Sequence, residues 1–376
     1  MVIMALDHVR DFFHITAFSA DPLDPKLTTT AVFFTRWITH LCAPSFLLLS
    51  GISAKLSGQR QSLSAKGSFL VKRGLWLVFA EIVFITFALS FDPTYKIIFL
   101  NVIWALGCSM ILLGILIPIC SQKVIFSLGL MLVFGHDVFD FITLLPNGTL
   151  DIAMNVLFTS AGKFYPLGGG PTIGVLYVIL PWTGIMFIGY GLGELYRVGF
   201  SGSRRKRILL QAGIAAIFMF VILRYLNIYG DPSQWKVQPT GWRTFLSFMN
   251  VSKYPPSLLY SLATLGPVMI MLSLADGCAY KLGSFFIVYG KVPFFYFVVH
   301  FFLIHTLSAI TVLGSGYTWK QATDPSLFFK FRPFDFGFEL GWVYLIWIAI
   351  VAVMYLPSRW FGAYKAKHRS WWLSYL

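Results

Sequence analysis

The chain has 376 residues, of which 57% are hydrophobic and only 12% are charged, and its formal net charge is +14. A globular soluble protein carries about twice this charged fraction, so the composition excludes a soluble fold, a disordered chain and a collagen-like repeat. In a soluble protein the positive charge would suggest nucleic-acid binding. In a membrane protein, the positions of the basic residues along the chain decide what the net charge means.

Nine apolar runs have about the length of 18 or more residues that marks a membrane helix. They cover residues 33–54, 75–91, 97–119, 124–141, 173–192, 208–226, 256–274, 292–313 and 338–356. Backbone polar groups in lipid must be bonded within the segment, so we expect helices and no strands. The sequence predicts an all-α, polytopic integral membrane helix bundle with nine complete transmembrane helices, in a single domain over residues 1–376.

If the loop after the first complete span is cytoplasmic, most of the Lys and Arg residues lie in cytoplasmic loops, as the positive-inside rule predicts. This asymmetry accounts for the net charge, so we expect no nucleic-acid partner. The same alternation places residues 7–33 on the outer side, although residues 1–6 are too few to cross a bilayer. We therefore expect the chain to begin partway along a truncated first helix.

Six of the seven histidines lie in or beside a predicted span, and by helical rise they converge on the outer half of the membrane. Ionisable side chains in this position are costly and are functional candidates. These histidines are His8, His14, His40, His136, His300 and His305.

The densest polar cluster opens the chain, where the sequence between residues 7 and 14 is DHVRDFFH. On a helix Asp7, Arg10, Asp11 and His14 share one face, with His8 at its edge. Asp11 is better placed than Asp7 to orient His8, and a carboxylate that holds one imidazole nitrogen leaves the other free as a base. The alternative is an ion-pair network at the helix end between Arg10 and the two aspartates.

A second histidine motif, Gly135-His136-Asp137, stands at another helix end. The spacing of four pairs His136 with Asp140, and the alternative is a solvated helix terminus. The sequence is consistent with both the His136–Asp140 pair and the solvated terminus.

Deeper in the membrane, Tyr296 and His300 share a helix face, with His305 rotated by about 140° from His300. One of the two histidines is expected to face the interior, whereas the other bonds a neighbouring helix. Lone Glu81 is expected to pair with a base at a helix end.

The four cysteines, Cys42, Cys108, Cys120 and Cys278, occur singly in apolar segments without metal-ligand spacing. We expect buried small side chains, no disulfide framework and no metal site.

Six segments carry a resemblance to a known family. They are residues 2–14 (VIMALDHVRDFFH), 42–51 (CAPSFLLLSG), 102–107 (VIWALG), 180–186 (LPWTGIM), 253–260 (KYPPSLLY) and 289–300 (YGKVPFFYFVVH). The chain resembles the heparan-α-glucosaminide N-acetyltransferase catalytic-domain family, particularly its small bacterial members. More distantly it is similar to acyltransferase type 3 membrane proteins, whose first helix has an arginine, ten residues and then a histidine. Counted back from His8, that arginine would stand three positions before Met1.

The resemblance implies a multi-pass acyltransferase of a cell membrane, most simply the bacterial inner membrane. It implies acetyl-CoA as the cytoplasmic donor, and an amino sugar or glycan hydroxyl on the far side as the acceptor. His8 is then the general base or transient acyl acceptor, oriented by Asp11, with His14, His136 and His300 polarising donor or acceptor. In the human-type enzymes the essential histidine lies in the first outer loop, so His14 competes with His8.

Basic residues are candidates for binding the acyl-CoA donor, although loop topology alone also explains most of them. They are Arg10, Lys72, Arg73, Arg204 and Arg205. The competing functional class is a proton-coupled transporter with a relay from Glu81 through His300 to His305. The clustering of ionisable groups toward one side of the membrane favours the enzyme.

Overall fold

The computed structural model describes residues 1–57, 61–142, 148–160, 162–276, 281–368 and 370–375. It is mostly helical, in agreement with the predicted class. The α-helices are α1 Val2–Phe13, α2 Thr30–Thr39, α3 Cys42–Leu56, α4 Leu63–Ala80, α5 Thr86–Ser90, α6 Val102–Leu116, α7 Gln122–Gly135, α8 Thr149–Met154, α9 Leu180–Leu192, α10 Gly202–Leu226, α11 Gly241–Met249, α12 Leu258–Ala275, α13 Lys281–Gly290, α14 Pro293–Gly314, α15 Trp319–Ala322 and α16 Leu340–Lys367. Short π-helical segments occupy Glu81–Ile85 and Asn155–Thr159, and 3-10 helices occupy His136–Phe141, Gly193–Tyr196 and Trp371–Ser374.

Three short strands contradict the expectation of no strands. They are β1 Ile97–Leu100, β2 Lys163–Pro166 and β3 Thr172–Val175, in the order β1-β3-β2. β2 and β3 pair antiparallel, with Lys163 opposite Val175. Two of the strands are runs of four mainly apolar residues at the start of the predicted spans 97–119 and 173–192. Hydropathy alone cannot distinguish such a run from the first turn of a buried helix.

The number of membrane-crossing helices also differs from the prediction. Among the described residues, seven helices are long and apolar enough to cross a membrane, namely Thr30–Leu56, Leu63–Ser90, Gln122–Phe141, Gly202–Leu226, Leu258–Ala275, Pro293–Gly314 and Leu340–Lys367. Each matches a predicted span. The other two predicted spans hold α6 and α9, which have 15 and 13 residues, because β1 and β3 take up their first residues. The chain is therefore a multi-pass membrane protein, and the count of nine complete spans is not confirmed.

Contacts between residues group the chain into two compact units. The first unit contains residues 1–42, 83–98 and 279–376, and the second contains residues 43–82 and 99–278. In the first unit α1 packs against α2, α14 and α16, while α14 also contacts α5. The prediction of one membrane domain stays a prediction.

Helices of the second unit pack closely in pairs, α4 with α6, α7 with α9 and α10 with α12. Glycines permit this approach, as small residues do in many membrane interfaces. A Cβ at Gly74 would lie 2.5 Å from the carbonyl oxygen of Gly107 in the opposite helix, and one at Gly107 would lie 2.7 Å from that of Gly74. A larger residue at either position would push α4 and α6 apart.

The cysteines Cys42, Cys108 and Cys120 are half-buried, whereas full burial was expected. Cys278 lies outside the described residues.

Candidate functional site

Helix α1 carries the polar residues Asp7, His8, Arg10 and Asp11 of the first unit. The Trp347 indole of α16 donates to the carbonyl of Val2 at 2.8 Å, which fixes one end of α1. At the other end, the Phe338 amide donates to the carbonyl of Phe13 at 2.7 Å, and the Ile15 amide donates to that of Phe338 at 3.0 Å. Both ends of the helix are thus fastened to the C-terminal part of the chain.

An ion-pair network runs along one face of α1. The Arg10 guanidinium contacts Asp11 at 2.6 Å and Asp7 at 3.2 Å, so the predicted sharing of a face by these three residues is confirmed. Asp7 also accepts from Arg36 of α2, at 2.6 and 2.5 Å. Arg36 was not singled out from the sequence, although an arginine within an apolar run was a signal for it. Arg10, a predicted donor-binding residue, is buried, and its guanidinium is bonded to the carboxylates of Asp7 and Asp11.

His8 and His300 come together from α1 and α14. Their ring centroids are 5.3 Å apart, and the His8 ring also packs on Phe301 at 4.2 Å. His8 is half-buried, whereas His300 is fully buried. The pair therefore joins one partly exposed imidazole and one fully enclosed imidazole. The orientation of His8 by Asp11 stays a prediction.

His300 has a defined tautomer. Its Nδ1 lies 2.8 Å from the carbonyl oxygen of Tyr296, which only accepts, so Nδ1 carries the hydrogen. Nε2 then holds a lone pair, and it has no hydrogen-bond partner within the described part of the chain. The buried Tyr296 hydroxyl also lacks a partner there, and its ring stacks on His300 at 5.1 Å. Two unpaired polar atoms on adjoining rings are unusual in a buried setting.

His14 follows α1 directly. The Thr16 amide donates to its Nδ1 at 3.3 Å, and the Thr16 hydroxyl lies 3.0 Å from the same nitrogen. Burial lowers the pKa of His14, and the positive charges of Arg10 and Arg332 lower it further. His14 is thus held as a neutral imidazole, which keeps it chemically competent as a base.

Arg332 clamps the end of α1, and sequence reasoning missed it. Its guanidinium donates to the carbonyl oxygens of His14 at 2.8 Å, Asp11 at 3.3 Å, Phe336 at 2.6 Å and Pro333 at 2.5 Å. Burial lowers its pKa to about 10, so it remains protonated at neutral pH. A cation at a helix C-terminus also interacts favourably with the helix dipole. No local sequence signal reveals this residue, because its partners are backbone carbonyls and the two that belong to the end of α1 are more than 300 positions away.

His305 faces α5 and the loop before α16. Its Nδ1 lies 2.8 Å from the carbonyl oxygen of Ala88, and its Nε2 lies 2.6 Å from that of Lys330. Its ring stacks on Phe91 at 3.7 Å. Both nitrogens lie within hydrogen-bond distance of a carbonyl oxygen, and a neutral imidazole donates to one of the two. His305 thus joins chain segments, as expected for one of the two histidines of α14.

His136 belongs to the second unit. Its Nε2 lies 3.0 Å from the carboxylate of Asp137, so the predicted pairing of His136 with Asp140 is wrong. The helix tightens into the 3-10 segment His136–Phe141, where residues four apart no longer share a face. Nδ1 lies 2.9 Å from the Leu132 carbonyl and Nε2 lies 2.8 Å from that of Pro256. Its catalytic role stays a prediction, although both nitrogens lie within hydrogen-bond distance of carbonyl oxygens.

Within the described ranges, Glu81 does not pair with a base at a helix end, contrary to the expectation. It is fully buried, and its Oε2 accepts from the backbone amide of Trp104 at 3.0 Å. Trp104 lies in the first turn of α6, whose amides lack partners within the helix. Glu81 therefore caps α6. This role explains why Glu81 is buried without the proton relay that was considered for a transporter.

The predicted donor-binding residues of the second unit have different surroundings. Lys72 and Arg204 are exposed, and the Arg204 guanidinium lies 5.8 Å from the Phe200 ring. Arg73 is half-buried, and its Nε has no hydrogen-bond partner among the described residues. Arg205 makes two hydrogen bonds to the Asp276 carboxylate, at 2.8 and 2.7 Å, which neutralise its charge. Their binding of a donor stays a prediction.

Within the described ranges, no group of three or more His, Cys, Asp or Glu side chains is placed to hold a metal ion. A family model described as heparan-alpha-glucosaminide N-acetyltransferase, catalytic, matches residues 3–229, more than half of the chain. This range includes His8, Asp11, His14 and His136 and ends before His300. Comparisons with curated proteins and with solved structures found no match.

Proposed function

Because the chain belongs to the heparan-alpha-glucosaminide N-acetyltransferase catalytic family, we propose that it transfers an acetyl group from cytoplasmic acetyl-CoA to an acceptor on the other side of the membrane. The acceptor is an amino sugar or a glycan hydroxyl, and the membrane is a bacterial inner membrane. Membership of the family makes the protein a membrane acetyltransferase, and it favours this reaction over proton-coupled transport.

One observation supports the proposal most directly. The half-exposed His8 lies beside His300, whose unpaired Nε2 keeps a lone pair in a buried position. Acetyl transfer to a hydroxyl or an amine needs a proton acceptor at the reacting centre, and the His8 imidazole is the candidate for it. His14, the competitor to His8, stands at the end of the same helix as a second neutral imidazole.

In the proposed reaction, His8 takes the proton of the acceptor N–H or O–H as the nucleophile attacks the thioester carbonyl. The new C–N or C–O bond forms, the C–S bond breaks, and the imidazolium returns the proton to the CoA thiolate. His300 is the polar neighbour of His8, and the Tyr296 ring stacks on His300. A positioned base contributes roughly 10² to 10⁴ in rate. In the alternative route His8 itself takes the acetyl group, releases CoA and is then deacetylated by the acceptor.

The donor phosphates are proposed to bind basic residues of the cytoplasmic face. Lys72, Arg73 and Arg204 are the better candidates in the second unit, because the charge of Arg205 is matched by Asp276. Phosphates gain most from cations that lack another anionic partner.

Sealed proteoliposomes test the proposal. The vesicles contain an amino sugar or an oligosaccharide, and labelled acetyl-CoA is added outside. We expect labelled acetyl product inside the vesicles and free CoA in the medium, both dependent on the acceptor. An intact thioester with every acceptor class refutes the enzyme, and solute movement without thioester cleavage identifies a transporter.

A further inference from the structure

Two lysine ammonium groups of the second unit meet at one aromatic ring. Lys55 lies near the end of α3, Lys66 lies in the first turn of α4, and Tyr190 lies near the end of α9. The ammonium nitrogens of Lys55 and Lys66 are 5.4 and 5.9 Å from the centre of the Tyr190 ring. The Lys66 ammonium also donates to the backbone carbonyl of Lys55 at 2.8 Å. The fold therefore holds two like charges from different helices side by side.

Lys66 is enclosed although its side chain carries a charge. The residue is 6% exposed, and a lysine is almost never buried to this extent unless an anion pairs with it. Among the described residues, no carboxylate forms an ion pair with its ammonium, and the Lys55 carbonyl is its one hydrogen-bond acceptor. An ammonium has three N–H donors, so two of them are left over. A buried cation with unused donors and no anion calls for an anionic ligand.

Lys55 forms the more open side of this cluster. Its side chain is 24% exposed, and its ammonium donates to the Gln122 amide oxygen and contacts the Glu194 carboxylate at 3.2 Å. Glu194 also pairs with Arg197 at 3.1 Å. The cluster thus contains three cations, Lys55, Lys66 and Arg197, and one carboxylate, which leaves a balance of two positive charges. A phosphomonoester carries about −1.5 to −2 charge at pH 7, so it matches this balance.

Two helices begin at the cluster. Helices α4 and α7 have Ser62 and Ser121 as their N-caps, and Lys66 and Gln122 in their first turns both bond to Lys55. The positive end of a helix dipole favours an anion, which adds to the charge of the lysines. The positive-inside rule predicts that this end of the unit faces the cytoplasm. The proposed donor is expected on the same side.

We propose that Lys55 and Lys66 bind the 3′-phosphate of the acetyl-CoA donor, which is a phosphomonoester. This assignment rests on the proposed function, and it leaves Lys72, Arg73 and Arg204 as the candidates for the diphosphate of the same donor. Lys66 supplies an enclosed charge with two unused N–H donors, and Lys55 supplies the second charge at the open side. Hydrogen bonds from ammonium groups to phosphate oxygens are short and strong, because both partners are charged.

Isothermal titration calorimetry of the purified full chain in detergent tests this site. The probes are CoA and dephospho-CoA, which differ only in the 3′-phosphate. We expect the parent to bind CoA roughly tenfold or more tightly than dephospho-CoA, as one charge-assisted hydrogen bond provides. Lys66→Met keeps an apolar stem and removes the charge, so it should bind the two probes almost equally.

Lys55→Gln should also reduce the preference, and it tests the site even if Lys66→Met fails to fold. Lys123→Gln removes an exposed lysine from the first turn of α7, so it is the matched control and should keep the full preference. A preference that survives in both Lys55→Gln and Lys66→Met overturns the proposal.

The parent chain separates this proposal from the proposed function. Equal binding of CoA and dephospho-CoA by the parent overturns the phosphate site alone, whereas a parent that binds neither probe overturns both proposals. Phosphatidic acid carries a phosphomonoester as well and is the lipid probe. If its retention depends on Lys66 while the parent binds CoA and dephospho-CoA alike, the site takes a lipid phosphate and the assignment to the donor is wrong.

Discussion

The clamp on the end of α1 gives a prediction with a large expected effect. Arg332 is 1% exposed and donates to four carbonyl oxygens, two of which belong to Asp11 and His14 at the end of α1. Its guanidinium also lies between two aromatic rings, 5.2 Å from Phe18 and 5.6 Å from Phe336. Replacing Arg332 with glutamine removes the charge and most of these donors.

A buried acceptor left without a donor costs about 1 to 3 kcal/mol, and such costs are not fully additive within one cluster. The glutamine amide has two N–H donors, so at least two of the four carbonyl oxygens lose their donor. We therefore expect Arg332→Gln to destabilise the first unit by about 3 to 5 kcal/mol. Arg332→Lys keeps the charge but has three donors on one atom, so its loss should be smaller.

Thermal unfolding in detergent measures this effect, with hydrogen exchange reporting on α1. A cost of this size should lower Tm by roughly 5 °C or more, and amides of α1 should exchange faster. Arg359→Gln is the matched control, because Arg359 is exposed on α16. If Arg332→Gln unfolds at the parent temperature with α1 equally protected, Arg332 does not clamp the helix.

Two further predictions concern His14 and a helix crossing. His14 has a pKa below its ordinary value in the folded state, so its contribution to stability is present above pH of about 6.5 and is lost as the pH falls through the folded pKa. Tm measured against pH should therefore fall less steeply on the acid side for His14→Asn than for the parent, and identical slopes would contradict this. A Cβ at Gly51 would lie 2.1 Å from the Met186 carbonyl oxygen, so Gly51→Ala should prevent close packing of α3 on α9 and sharply reduce the yield of folded protein. Gly341→Ala, with no atom within 4 Å of the added carbon, is its control and should express normally.

The helical class could be predicted from the sequence because long apolar runs in lipid have few alternatives. The strands could not, since Ile97–Leu100 is apolar and only four residues long. Hydropathy measures the environment of a segment, whereas the choice between strand and helix over one turn depends on pairing with a distant partner. Leu100, for example, accepts from the amides of Leu176 and Tyr177.

The site shows the same division between local and distant contacts. The pairing of Arg10 with Asp7 and Asp11 is the ion-pair network that the sequence offered as the alternative to a catalytic cluster. The contact of His8 with His300 joins residues nearly 300 positions apart, and only the family resemblance placed both in one catalytic set. Asp140 was chosen as the partner of His136 because a regular α-helix was assumed. The change to a 3-10 helix made Asp137 the neighbour instead.

The central claim is that His8 and His300 act together in acetyl transfer. It is tested most directly by the turnover of His8→Ala, His300→Ala and the double variant, with His368→Ala in the exposed tail as the control. Residues that act as one unit have strongly non-additive effects. We expect each single variant to lose roughly 10² or more in turnover and the double variant to lose little beyond that. Parent-like turnover in His8→Ala, or losses that simply multiply in the double variant, would contradict the account.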